Sequence, residues 1–151
     1  MPGLRPCHAA LCAILMLPGG VGATSSDPGF VCSQTVYRLE DRARACEQVV
    51  GQSPGHLQTY AKVLAELGRW QEAVDALVRL RQVRGTLGMY EWADLAGYQL
   101  KARQWRDAAA SASQALEANP ASIESRRVRG LALAQLGQER QAAEDLRAWR
   151  W

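Results

Sequence analysis

Histidine is nearly absent from this chain. His8 and His56 are the only two, which removes the side chain most often used for acid–base catalysis near neutral pH. His56 falls in the polar connection Ser53-Pro54-Gly55-His56 and reads as a solvated surface residue. Cysteine is sparse as well, and Cys32 and Cys46 stand fourteen residues apart, so neither belongs to a Cys-x-x-Cys redox pair. Two Cys and one His lack the fourth ligand that a zinc site needs. No strand pattern is evident, so no Gly-rich phosphate loop follows a strand. Runs of five or six like charges are missing, which excludes a basic arm or an acidic tail. The formal charge of +3 is small and scattered, unlike the concentrated basic face of a nucleic-acid binder. Glu72 with Asp75, and Glu144 with Asp145, read as solvated helix faces. These absences predict a protein with no catalytic site, no metal, no cofactor and no nucleic-acid partner.

Long hydrophobic runs are also few. The only one spans Ala9 to Leu17, behind Arg5, and is broken by Pro18, Gly19 and Gly20. At about half the roughly 20 residues a membrane helix needs, it matches a secretory signal peptide over residues 1–23. Val21-Gly22-Ala23 places small residues for cleavage after Ala23. An uncleaved N-terminal anchor is the competing reading. Cleavage removes Cys7, Cys12 and the charge of Arg5, and leaves no hydrophobic span in the mature chain. The expected location is therefore periplasmic or secreted, where disulfides persist.

What the chain does have is internal repetition. Three stretches align: Leu67-Gly68-Arg69-Trp70-Gln71-Glu72-Ala73, Ala102-Arg103-Gln104-Trp105-Arg106-Asp107-Ala108 and Leu136-Gly137-Gln138-Glu139-Arg140-Gln141-Ala142. Trp70, Trp105 and Glu139 are 35 and 34 residues apart, and Ala73, Ala108 and Ala142 keep the same intervals. Each stretch lies between two apolar-periodic helices, so the unit is helix, tight turn, helix. Gly68 and Gly137 end the first helix, where a left-handed backbone favours glycine. Trp70 and Trp105 open the second helix and are placed to wedge between the pair. The three Ala let helices approach closely, and Leu77, Ala112 and Leu146 follow four residues later on the same face. Pro120 stops the second unit.

These residues resemble the tetratricopeptide repeat family. Unit one matches through Leu57, Tyr60, Ala61, Leu64, Gly68, Trp70, Ala73 and Leu77. Unit two matches through Trp92, Leu95, Ala96, Trp105, Ala108, Ala115 and Pro120, and unit three through Gly130, Leu133, Gly137, Ala142 and Leu146. The resemblance implies an all-α fold of helix-turn-helix repeats stacked as a short right-handed solenoid, with three units at about 55–86, 89–120 and 121–151. Residues 24–34 are expected to be a flexible segment and residues 35–52 a capping half-repeat helix, with Leu39, Ala43, Cys46 and Val50 on one face. The stretch from Cys32 through Arg42-Ala43-Arg44-Ala45-Cys46 is similar to a leader of exported bacterial members of the family.

Three departures from the repeat pattern carry expectations of their own. Arg103 replaces the glycine of unit two, which predicts a less tight turn. Arg126 and Arg129 stand at ordinarily apolar positions and put the packing of the third unit in question. Trp149 stands where a small residue is usual.

Whether Cys32 and Cys46 bond depends on local folding. An unbroken helix would separate them by roughly 21 Å at 1.5 Å per residue, whereas a disulfide needs Cα atoms within about 7 Å. Bonding thus requires residues 32–37 to fold back along a helix starting near Arg38. The alternative is two unpaired thiols, with Cys46 buried as a small apolar residue.

Two surfaces remain for function. The resemblance implies that the first helix of each unit lines a concave groove: Gln58, Lys62 and Glu66; Tyr90, Ala93, Leu100 and Lys101; Glu124, Arg127, Leu131 and Gln135. That set is mixed in sign and moderately apolar, and it fits either a protein or peptide partner or a bland solvated face. The second surface is the C-terminal end, where Leu146, Trp149 and Trp151 beside Arg147 and Arg150 would contact a partner or a second copy, or fold back on the last helix. The leading reading is a non-catalytic interaction scaffold or adaptor in the periplasm. The alternatives are a membrane-surface or self-associating accessory using the Trp/Arg-rich end, and a redox or metal protein built on Cys32, Cys46 and His56.

Overall fold

The computed structural model describes residues 27–147. The proposed signal peptide with its cleavage after Ala23, together with Cys7, Cys12, Trp149 and Trp151, lies outside the described residues. Within them the chain forms eight helices and no strand: α1 Pro28–Ser33, α2 Leu39–Val49, α3 Pro54–Glu66, α4 Trp70–Arg84, α5 Met89–Lys101, α6 Trp105–Ala118, α7 Ile123–Gln135 and α8 Glu139–Arg147. Neighbours in sequence pair as α3 with α4, α5 with α6 and α7 with α8, and successive pairs stack. No helix among the described residues is long and apolar enough to cross a membrane.

Capping explains where several helices begin. Asp27 accepts the Gly29 N–H at 3.2 Å, Ser53 accepts that of Gly55 at 3.2 Å, and Ser122 accepts that of Ser125 at 3.2 Å. Each satisfies a backbone donor that the first turn leaves unpaired. Pro54 at the first helical position of α3 loses nothing by lacking an N–H.

The three tight turns share one geometry. Gly68 and Gly137 both adopt φ 75°. In the first turn Gly68 N–H bonds to Ala65 O at 3.0 Å and Arg69 N–H to Leu64 O at 2.9 Å, the double bond pattern of a Schellman motif. Arg103 takes the same left-handed conformation at φ 63°, with Arg103 N–H to Leu100 O at 3.2 Å and Gln104 N–H to Gln99 O at 2.9 Å. The expectation of a looser second turn is therefore corrected: the repeat geometry overrides the steric cost of a side chain there.

Ala73 and Ala108 have no exposed surface and Ala142 only 3%, so each helix pair closes over a small residue. Leu57, Leu64, Leu77, Leu80 and Leu95 fill the core of the first unit and its junction with the second. Each such buried Leu contributes roughly 1.5–3 kcal/mol relative to exposure. Further along, the core narrows to Ala96, Ala112 and Val128. There the third unit is held by polar bonds. The Arg129 guanidinium spans from α7 to Asp145 on α8, and Asp145 is only 7% exposed. Asp145 is thus a buried partner and not the solvated residue expected, and Arg129 holds the packing together instead of disturbing it. Arg126 donates to the Pro120 carbonyl.

At the N-terminal end the chain folds back as bonding requires. Helix α1 occupies residues expected to be flexible, and Cys32 and Cys46 form a disulfide with Cα atoms 4.7 Å apart. Closing that loop stabilises the cap by roughly 3 kcal/mol. The buried Arg42 donates from Nε to the Cys32 carbonyl at 3.3 Å. His56 is not a solvated loop residue. It lies in the first turn of α3, half-buried, with Nδ1 3.0 Å from the Val49 carbonyl, and so ties α3 to the end of α2.

Candidate partner-binding groove

Turn geometry places the aromatic residues. The Schellman turn at Gly68 puts Trp70 at the start of α4, half-buried against the first core. Its ring does more than wedge its own helix pair. It packs on Tyr98 of α5 with centroids 6.3 Å apart and planes at 39°. The equivalent turn at Arg103 puts Trp105 at the start of α6, with the Arg103 guanidinium 5.9 Å from its ring centroid.

Two cavities meet at the Trp70–Tyr98 pair. One, of about 450 Å³, lies between α3 and α5 and is lined by Lys62, Ala65, Glu66 and Asp94 besides the two rings. The other, of about 550 Å³, lies between α5 and α7. Leu100, Trp105, Val128, Leu131 and Ala134 supply its apolar wall, and Lys101, Arg103, Arg127, Glu124 and Gln135 its polar rim. The result is a groove along the later turns of α3 and α5 and most of α7. Its charge is unevenly distributed: two carboxylates and one lysine at the α3 end, three cations and one carboxylate at the α7 end.

The electrostatics follow from burial and pairing. Burial pushes the Asp94 carboxyl up, Lys62 partly opposes this, and Glu91 reinforces it. Burial likewise raises the Tyr98 phenol, with Asp94 and Glu66 adding to the effect, so it stays protonated as a donor. Arg127 grips Glu124 through two hydrogen bonds, one of 2.8 Å from Nε. That pairing holds the Glu124 carboxyl below its usual range.

Of the residues assigned to a groove from the sequence, Lys62, Glu66, Leu100, Lys101, Glu124, Arg127, Leu131 and Gln135 line these cavities. Gln58, Tyr90 and Ala93 do not. They stand on the early turns of α3 and α5, away from the tight turns that close the groove, and Tyr90 is 71% exposed. Trp70, Asp94, Tyr98, Arg103 and Trp105 belong to the groove and were not assigned to it. The signal available was spacing, since Asp94, Tyr98 and Lys101 share one helical face. Of the C-terminal candidates, Leu146 is half-buried and packs where α8 crosses Gly130.

With both sulfurs in the disulfide, Cys32 and Cys46 offer no thiolate for a nucleophile or a metal. Among the described residues no three His, Cys, Asp or Glu side chains gather to hold a metal ion.

Solved structures with the same arrangement include several of MamA, a tetratricopeptide-like helical repeat protein. MamA from Desulfovibrio magneticus RS-1, residue 41 to the end, superposes with a TM-score of 0.67 at 21% identity over 73% of this chain. The fold is a short helical-repeat solenoid. A second MamA crystal structure gives 0.67 at 16% identity, covering 73% of this chain and 66% of that one. MamA MSR-1 C2 gives 0.66 at 13% identity, covering 73% and 64%. The match spans 63% of that Desulfovibrio MamA chain, which itself begins at residue 41. No protein-family model matches the chain, and no curated protein does.

Proposed function

We propose that this chain is an exported, non-catalytic scaffold that holds an extended segment of a partner protein on the face formed by α3, α5 and α7. The observation that carries this reading is the continuous groove centred on Trp70 and Tyr98, apolar in the middle and charged at its ends. An extended segment with an apolar side chain at the centre and an acidic residue toward Lys101 and Arg103 complements it. Rigid helices supply the pre-organisation, so binding does not have to order the receptor surface. Export is supported by the signal-like first 23 residues and by a disulfide, which persists in oxidising compartments.

Retention of a partner from the native envelope fraction tests this, with the wild-type chain compared with Leu131→Glu and Lys101→Glu. Both positions are exposed helix surface, so the variants keep their fold. A partner that binds wild type and is released by both substitutions is the expected result. Equal retention by all three would place the binding surface elsewhere.

A further inference from the structure

A glycine inside a helix destabilises it relative to alanine, so each one calls for a cause. Among the described residues Gly97 and Gly130 stand well inside helices. Gly130 is required by close packing, since a Cβ there would lie 2.8 Å from Leu146 Cγ. Gly97 has no such reason. Its backbone lacks the positive φ of Gly68 and Gly137, and nothing lies within 4 Å of the point a Cβ would occupy. The fold has room for a side chain at this position and goes without one.

The missing Cβ opens the cavity of about 550 Å³ between α5 and α7, which Gly97 lines. Trp70, Tyr98 and Trp105 bring three rings to the same cavity, with Leu131 on the α7 side. Bare backbone leaves a flat patch in this aromatic wall. A planar ring covers such a patch and meets the surrounding rings at their edges or faces. A branched aliphatic group touches it through fewer atoms and gains less dispersion energy. One helical turn along α5 stands Lys101, with Arg103 in the turn beyond it. Neither has an ion-pair partner among the described residues, whereas Arg127 is held by Glu124. The rise from Gly97 to Lys101 is about 6 Å, at 1.5 Å per residue. Two residues of an extended chain cover about 6.6 Å and return the side chain to the same side. A ring seated on Gly97 therefore carries the side chain two positions along to Lys101, where uncompensated positive charge favours a carboxylate. From the glycine in the aromatic wall and the unpaired cations one turn away, we propose that Gly97 determines the specificity of the groove. Its occupant is an extended segment of a partner protein carrying an aromatic residue and, two positions along, an acidic one. This deepens the function proposed above and rests on it.

Titration of the full chain with nonapeptides capped at both ends, followed through backbone amide resonances, tests the role of Gly97. The probes are Ser/Gly peptides with Trp at the fourth position and Asp at the sixth, the same with Val for Trp, and the same with Asn for Asp. Saturable shifts at Tyr98, Lys101 and Leu131 are expected, tightest for the Trp/Asp peptide. Gly97→Ala is expected to melt at a higher temperature than wild type yet bind that peptide about tenfold more weakly, the effect of one methyl group in a filled pocket. The preference for Trp over Val should shrink in the same variant. Damage to the fold cannot imitate this, because stability and affinity move in opposite directions. Lys101→Glu is expected to remove the preference for Asp over Asn and to keep that for Trp over Val. Binding that Leu131→Glu abolishes and Gly97→Ala leaves unchanged would overturn the role of Gly97 while the groove stands. Equal affinity of wild type for the Trp and Val peptides would do the same. Absence of any saturable response along α3, α5 and α7 would overturn both.

Discussion

Arg129 and Asp145 join the last two helices through paired hydrogen bonds, Nε to Oδ2 and Nη2 to Oδ1, each 2.6 Å long. The side chain of Asp145 is 8% exposed and that of Arg129 31%. Removing the arginine leaves a carboxylate buried without its counter-ion. Arg129→Ala is therefore expected to destabilise the third unit by about 2–4 kcal/mol, somewhat below the full penalty for a broken buried pair because water reaches the guanidinium. Arg129→Leu with Asp145→Leu should recover much of that loss, since an apolar pair often replaces a buried ion pair at no net cost. Chemical denaturation of wild type and the two variants checks both statements.

The same junction makes Gly130 a close-contact residue. A Cβ there would lie 2.8 Å from Leu146 Cγ and 3.1 Å from Asp145 Cβ, and Asp145 is held by Arg129. Gly130→Ala is expected to destabilise by about 1–3 kcal/mol through overpacking. Gly97, inside α5, has nothing within 4 Å of the corresponding point. Gly97→Ala should stabilise by about 0.5–1 kcal/mol, the ordinary helix-interior difference. Opposite shifts in melting temperature for one chemical change are the signature.

Arg103 holds a left-handed backbone at φ 63° that its repeat equivalents Gly68 and Gly137 adopt without steric strain. Arg103→Gly relieves about 1–2 kcal/mol of backbone strain. It gives up part of that through greater unfolded-state freedom and through the exposed contact with Trp105. The net expectation is a gain of about 0.5 kcal/mol, read from thermal melts.

Groove carboxylates should respond to pH in opposite directions. The Asp94 pKa is raised in the folded chain by burial, so ionising it favours unfolding. Its destabilising contribution is present at neutral pH and vanishes as pH falls below the unfolded value of about 3.9. Glu124 is lowered by its hydrogen bonds to Arg127. It stabilises above the unfolded value of about 4.3, and that contribution is lost as pH falls through its folded pKa. Asp94→Asn should then raise the melting temperature at pH 7 and Glu124→Gln should lower it, with both differences shrinking toward about pH 3. Melts across that range test the signs.

Much of the architecture is legible in the repeat spacing, because Gly68, Gly137, Trp70, Trp105 and the three core Ala occupy positions that local backbone geometry demands. What stayed hidden depends on contacts between distant segments. Asp145 looks like a solvated acid until Arg129, sixteen residues earlier on another helix, arrives beside it. His56 looks like loop until the Val49 carbonyl at the end of α2 engages its ring. The groove was half legible. The first-helix face follows from periodicity, but Trp70 reaches it by crossing to the next unit and packing its ring at a tilt against Tyr98, a relation no single repeat contains.

The most direct test of the proposed function is backbone amide shift mapping with an extended peptide selected for binding to the full chain. The largest changes are expected at Lys62, Asp94, Tyr98, Lys101, Arg127 and Leu131, along α3, α5 and α7. Changes confined to α4, α6 and α8, with those six residues unmoved, would contradict it.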